Sequence, residues 1–275
     1  MVSLECAWIR TVMIYTGHGP YVDHVPQQVA MFKDLNSHRI ELGRPEWKVR
    51  TVSGELLIGA LQAENPASTL LVIPPGPSRD LENAFSQEQF EFIRSQFLKK
   101  NGGRLYTTCG SSYMVSKWRE YQMAQNIKSS MKESIFPLFT GTAKGPLCLD
   151  RDVNHNVNFY SDVVTVANEK ETCRMFLSGG GSFFLDENDL KTRVVAIYLD
   201  SKLSKNAAII SFVGKGSVLL SMFHPEYGPE HIDIETLRRV FPHSCTNWKE
   251  IKERLSPTDD RLRFVFRHMF LPLEG

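Results

Sequence analysis

The run Thr69-Leu70-Leu71-Val72-Ile73 carries no charge and stops at Pro74-Pro75-Gly76-Pro77. A strand that is apolar on both faces must be covered on both, which is the setting of a central strand in a parallel sheet. Other runs of the same kind flank it. Thr11-Val12-Met13-Ile14-Tyr15 ends in Thr16-Gly17-His18-Gly19-Pro20, Trp47 to Val52 reads as a second strand, and Gly103 to Thr108 leads into Cys109. Between them, Val25, Val29, Phe32 and Leu35 recur at helical spacing, with Pro26 tolerated near the first turn. Phe90, Ile93, Phe97 and Leu98 line one face of another helix, which ends at Asn101-Gly102. Strand and helix in alternation imply βαβ units and a parallel sheet. In such a sheet the ligand crevice lies beyond the carboxyl ends of the strands. His18, Gly76 and Cys109 each stand just past a strand end, so the order of elements places them along one rim.

The rest of the chain departs from that alternation. From Lys117 to Asp152 the pattern loosens, and Gly141, Gly145 and Pro146 read as loop markers. Val157 to Val166 and Thr172 to Phe176 read as strands of an antiparallel excursion, followed by the tight loop Ser178-Gly179-Gly180-Gly181-Ser182-Phe183. Val194 to Tyr198 and Ala207 to Val213 are further strands, and Gly214-Lys215-Gly216-Ser217 turns the chain into Val218 to Met222. Past Gly228 the pattern becomes helical over Ile234 to Phe241, Trp248 to Leu255 and Asp260 to Phe270.

Bulk properties exclude more than they assign. At 275 residues the chain is long enough for one sizeable core. A formal net charge of +1 gives no reason to expect a nucleic-acid or anionic-membrane surface. Met1 to Arg10 lacks the pattern of a secretory signal, and no uncharged run reaches the roughly 20 residues that cross a bilayer. Five scattered cysteines, Cys6, Cys109, Cys148, Cys173 and Cys245, form no Cys-x-x-Cys pair. That suits a reducing, cytoplasmic setting without a disulfide scaffold or structural metal. His18 and His24 sit near the rim, but two histidines in a loop region are weak evidence for a metal, so no metal and no cofactor are expected.

Cys109 sits where a strand turns abruptly into Gly110-Ser111-Ser112-Tyr113, the first turn of a helix. The positive end of the helix dipole there favours thiolate over thiol. Alone, such a cysteine reads as a small buried hydrophobe. Phe223-His224-Pro225-Glu226-Tyr227 changes that reading, because in an extended chain residues i and i+2 point to the same side. Glu226 would then steer the His224 imidazole toward the sulfur. The glycines 179–181 and Gly214-Lys215-Gly216 read first as tight turns, and no P-loop pattern accompanies them. Tyr15 and Tyr113 either line the pocket or pack beside it, and the helix around Arg261 to Phe270 reads as one docked on the sheet.

Taken together, these landmarks resemble the class I glutamine amidotransferase-like superfamily, and within it the N-terminal domain of biotin-protein ligases. The matching pieces are Ile14-Tyr15-Thr16-Gly17, Pro74-Pro75-Gly76-Pro77, Gly102-Gly103 before the Cys109 elbow, Tyr113 after it, Ser178 to Phe183, and Gly214-Lys215-Gly216 leading to His224-Pro225-Glu226. Asp260-Arg261 before Leu262-Arg263-Phe264-Val265-Phe266 is similar too. The resemblance implies an α/β fold with a flavodoxin-like, mostly parallel sheet, helices on both faces, an antiparallel excursion and a helical C-terminal extension. It implies one domain over residues 1–275, with 230–275 as a helical tail docked on it. Carried over by position, Cys109 is the nucleophile, His224 the general base and acid, and Glu226 the orienter. The amides of Gly76 and Gly110 form the oxyanion hole, with Tyr113 beside the pocket.

Three positions depart from the superfamily pattern. Thr107 and Ser111 stand where glycines usually flank the cysteine, and Pro77, which has no N–H, occupies one position of the oxyanion turn. Two functions therefore stay open. One is a cysteine hydrolase or amidotransferase-like enzyme acting through a thioester on a small-molecule or peptide amide. The other is a non-catalytic regulatory or interaction module with a protein partner. Biotin ligation needs a separate domain that binds biotin and ATP. No Gly-Arg-Gly-Arg-type loop occurs in the sequence, so that reaction is not expected of it.

Overall fold

The computed structural model describes residues 8–21, 24–121, 131–147, 161–199, 206–235 and 246–274. Strand β1 (Thr11–Tyr15) lies between β2 (Lys48–Val52) and β3 (Thr69–Ile73), and β4 (Arg104–Thr108) extends the sheet from β3, every pair parallel. All residues of β1 and β3 are buried, as apolar runs without alternation require. The crossovers use α1 (His24–Glu41), α2 (Leu57–Gln62), α3 (Ser78–Ala84) and α4 (Gln87–Glu91), the last running on as a π-helix over Phe92–Lys100. Met31, Phe32 and Leu35 on α1 face the sheet, and Ile93, Phe97 and Leu98 cover it past α4.

After β4 a short helix, α5 (Gly110–Val115), leads straight into β5 (Ser116–Tyr121), β6 (Met131–Glu133) and β7 (Phe139–Gly145). Here the expected loops prove to be strands. Gly141 and Gly145 are strand residues because neighbours crowd them. A Cβ on Gly141 would lie 2.2 Å from the Phe184 carbonyl oxygen, and one on Gly145 would lie 2.2 Å from the Tyr113 hydroxyl. Glycine inside a strand marks close backbone approach as readily as a loop.

The antiparallel strands are β8 (Ser161–Ala167), β9 (Thr172–Ser178), β10 (Ser182–Phe184), β11 (Thr192–Tyr198) and β12 (Asn206–Val213), and the return strand is β13 (Gly216–Ser221). They are no separate layer. β13 pairs parallel with β4 and antiparallel with β12, so the described strands form one mixed sheet in the order β2-β1-β3-β4-β13-β12-β10-β7-β5-β6, with β11, β8 and β9 branching from β12.

Helices α6 (Trp248–Arg254) and α7 (Thr258–Val265) follow. Trp248 and Ile251 of α6 pack with Val163 and Phe176, and beyond α7 the Phe270 ring meets those of Phe32 and Tyr106, each at 5.1 Å. Glu274 is buried between Arg39 and Arg44, and Trp47 Nε1 donates to it at 3.4 Å. Most of the helix expected over residues 234–241, the start of the strand expected from 157, and Cys6, Cys148 and Cys245 lie outside the described residues. No described helix is long and apolar enough to cross a membrane.

Candidate active site

Cys109 joins β4 to α5 with φ 53° and ψ −116°, the one positive φ outside glycine among the described residues. Such a conformation costs about 1–3 kcal/mol and persists only where the surroundings enforce it. Here they do. The Cys109 N–H donates to the Ser221 carbonyl at 2.8 Å, and the Cys109 carbonyl accepts from Ser112 N–H at 2.9 Å. Ser111 and Thr107, which replace the glycines of the superfamily pattern, are fully buried and tie the turn together. The Thr108 N–H donates to Ser111 Oγ at 2.8 Å, and that hydroxyl lies 2.9 Å from the Ile73 carbonyl oxygen. Thr107 Oγ1 and Ser112 Oγ are 3.0 Å apart, and Ser112 Oγ donates onward to the Ser221 carbonyl at 2.9 Å. Burying Leu70, Leu71, Val72 and Ile73 in the neighbouring strand is worth about 1.5–3 kcal/mol each, which outweighs the local strain.

The turn after β3 closes on this elbow. A Cβ on Gly110 would fall 1.8 Å from the Gly76 carbonyl oxygen, and one on Gly76 would fall 2.2 Å from that of Gly19. The ends of β1, β3 and β4 therefore meet backbone to backbone. Pro77, exposed, precedes α3. His18, past the end of β1, is exposed.

β13 delivers His224, whose N–H donates to the Phe176 carbonyl of β9 at 2.8 Å. His224 and Glu226 do meet, though not as alternate residues of an extended chain. The segment turns, with Tyr227 N–H donating to the His224 carbonyl at 3.3 Å, and Pro225 has the fixed φ that the second position of such a turn favours. Across this turn His224 Nδ1 lies 2.9 Å from Glu226 Oε1. A carboxylate only accepts, so Nδ1 carries the proton and Nε2 is left to face the sulfur. Nε2 is buried without a partner in hydrogen-bond geometry, because the Cys109 thiol donates to the Ser178 carbonyl at 3.7 Å.

Electrostatics nevertheless couple the two. Burial alone would lower the His224 pKa, but the charges of Glu226 and Cys109, with the hydrogen bond to Glu226, raise it to about 10. Burial would raise Glu226, yet the charge and hydrogen bond of His224, joined by His24, lower it to about 2. The buried carboxylate thus favours the charged form of the imidazole beside it.

Four residues have contacts at the site that the sequence does not reveal, His24 among them although its place near the rim is legible. His24, the first residue of α1, reaches Glu226 Oε1 with Nδ1 at 3.2 Å. Its ring lies 5.2 Å from that of His224 and edge-on to Tyr227 at 5.1 Å. The ligand atoms of His24, His224 and Glu226 fall within 4.8 Å of one another and could hold a metal ion, although the two hydrogen bonds already account for their spacing. Burial raises the Tyr21 pKa, and charge at Cys109 raises it further, so this phenol lies within electrostatic reach of the sulfur. Arg261 of α7 is buried and donates to the Pro225 carbonyl, and a Cβ on Gly228 would lie 2.5 Å from its Nη2. Ser178 meets the sulfur through its carbonyl, which no side-chain pattern reveals. Tyr113 is buried and donates to the Gly180 carbonyl at 2.9 Å, holding the glycine loop that carries Ser178.

The fold is that of a glutamine amidotransferase. The backbone matches a crystal structure of one from Thermotoga maritima with a TM-score of 0.52, over 97% of this chain and 98% of that one. At 13% sequence identity the likeness concerns the fold alone. The chain belongs to the family described as biotin-protein ligase, N terminal, whose profile matches residues 10–274. It is 30% identical over 169 residues to the biotin–protein ligase of Schizosaccharomyces pombe, an alignment taking in 60% of this chain and 27% of that protein. The matched stretch is thus about a quarter of that relative's length.

Proposed function

We propose that Cys109, His224 and Glu226 form a nucleophilic triad that cleaves or transfers an amide or related acyl group through a thioester. The Cys109 thiolate attacks the acyl carbon, and the amides of Gly76 and Gly110 donate to the oxygen that becomes negative. His224, holding the proton from sulfur, passes it to the leaving amine as the carbon–nitrogen bond breaks. The same imidazole then takes a proton from water, which attacks the thioester and returns the cysteine as thiolate. Glu226 keeps the imidazole in the tautomer these steps need. A small-molecule or peptide amide fits such a site.

The observation that carries this reading is the positive φ of Cys109. A packing cysteine has no use for a strained turn that lifts its sulfur to the end of the sheet. A second reading, a regulatory or protein-interaction module, is favoured by the thiol's bond to the Ser178 carbonyl, which engages the sulfur away from His224, and by the missing donor at Pro77.

Alkylation by iodoacetamide at pH 7, followed residue by residue with mass spectrometry, separates the two. The triad predicts that Cys109 reacts faster than buried Cys173 and that His224→Ala slows it at least about tenfold, the loss of one charge-assisted hydrogen bond. A Cys109 rate unchanged in His224→Ala would leave the interaction module as the better account.

A further inference from the structure

Resting on the triad reading, we propose that His24 is a positioning residue, a second histidine on Glu226 that fixes the carboxylate and, through it, the imidazole of His224. Glu226 is fully buried, and its two hydrogen bonds converge on one oxygen, from His224 Nδ1 at 2.9 Å and His24 Nδ1 at 3.2 Å. Its other oxygen, Oε2, is buried with no hydrogen-bond partner. A carboxylate anchored by a single donor can pivot about that contact, so the bond to His224 alone does not set its plane. A donor arriving from a second direction does.

His24 is itself well placed to be that donor. It lies 202 residues away in sequence, on α1, so its direction of approach is independent of the turn that carries His224 and Glu226. Its backbone N–H donates to the Tyr21 carbonyl at 3.0 Å, and its ring is bracketed by those of Tyr21 at 5.6 Å and Tyr227 at 5.1 Å. Since Oε1 can only accept, both histidines present Nδ1–H to it. The arrangement joins the two imidazoles through one carboxylate oxygen. His24 touches neither the sulfur nor any reacting atom in this scheme, and it acts through Glu226.

Two substitutions separate positioning from bulk packing. His24→Asn retains a donor nitrogen where Nδ1 stood, and His24→Phe retains the ring and removes the donor. The readout is the low-field proton resonance of His224 Nδ1–H in protein labelled with nitrogen-15 histidine, recorded beside the Cys109 alkylation rate. Positioning predicts that the resonance survives in His24→Asn and is lost in His24→Phe, where alkylation slows about tenfold, as for one hydrogen bond to a charged group. A resonance that persists unchanged in His24→Phe overturns the proposal, as does its equal loss in both variants. If His24→Phe does not fold, His24→Gln replaces it, since its amide nitrogen falls nearer the Nε2 position and the resonance should again be lost. Alkylation indifferent to His224→Ala would count against the triad alone, because the resonance would still decide whether His24 holds Glu226.

Discussion

Two of the buried glutamates, Glu274 and Glu226, sit in opposite circumstances. Glu274 has both oxygens taken, one by Arg39 and the other by Arg44, with the Trp47 indole adding a third donor. Arginine does not lose its proton in proteins, so the charged donors of this cluster do not change. Glu226 instead concentrates two histidines on one oxygen and leaves the other bare, and the next atom along, His224 Nε2, is bare as well. Buried polar atoms nearly always find partners, so two bare atoms in succession call for an explanation. The first glutamate fastens α1 to the end of the chain, and the second is arranged around groups that can exchange a proton.

The comparison predicts its largest contrast in stability. Glu274→Gln leaves the fully buried Arg39 without its counter-ion and should cost about 3–5 kcal/mol, read as a lower urea midpoint at unchanged slope. A loss of about 1 kcal/mol or less, as at an exposed pair, would erase the distinction.

Glu226→Gln should cost less, about 1–3 kcal/mol, because its amide oxygen still accepts from a histidine. Its signature is a pH dependence with both an acid and an alkaline limb, because both members of the His224–Glu226 pair titrate. His224, raised to about 10, contributes stability that is whole below 6.5 and is lost as pH climbs through about 10. Glu226, lowered to about 2, contributes above 4.5 and loses that contribution as pH falls through about 2. The gap in melting temperature between wild type and Glu226→Gln should therefore be widest between pH 4.5 and 6.5 and narrow on both sides. A gap independent of pH would make Glu226 another structural anchor.

The smallest effect tests the elbow. Glycine adopts φ 53° freely and alanine does not, so Cys109→Gly should be more stable than Cys109→Ala by about 1 kcal/mol in thermal unfolding. Equal stability would mean that the turn stores no strain.

Much of the frame could be read from residues alone because its signals are local. An unbroken apolar run such as Thr69 to Ile73 declares a covered strand, and Cys109 and His224 each stand where such a run ends. The unread parts have a common cause. β7 hides its alternation because Gly141 and Gly145 trade side chains for close contact with Phe184 and Tyr113. His24 and Arg261 join the site across long stretches of chain, and Ser178 joins it by a backbone atom that every residue possesses. His24 resembles any loop histidine until folding brings Glu226 beside it. The turn at Pro225 gives the same i, i+2 meeting as an extended chain would, by a different route.

Strand β9 has one last implication. Its Phe176 carbonyl grips the His224 backbone, and two residues on, its Ser178 carbonyl receives the Cys109 thiol. Alternate carbonyls of one strand look toward the same edge, so β9 serves as a ruler whose two marks set the spacing of sulfur and imidazole. Sliding it by a single residue would misplace both together. An elbow transplanted without its antiparallel neighbours would keep its chemistry and lose its measure.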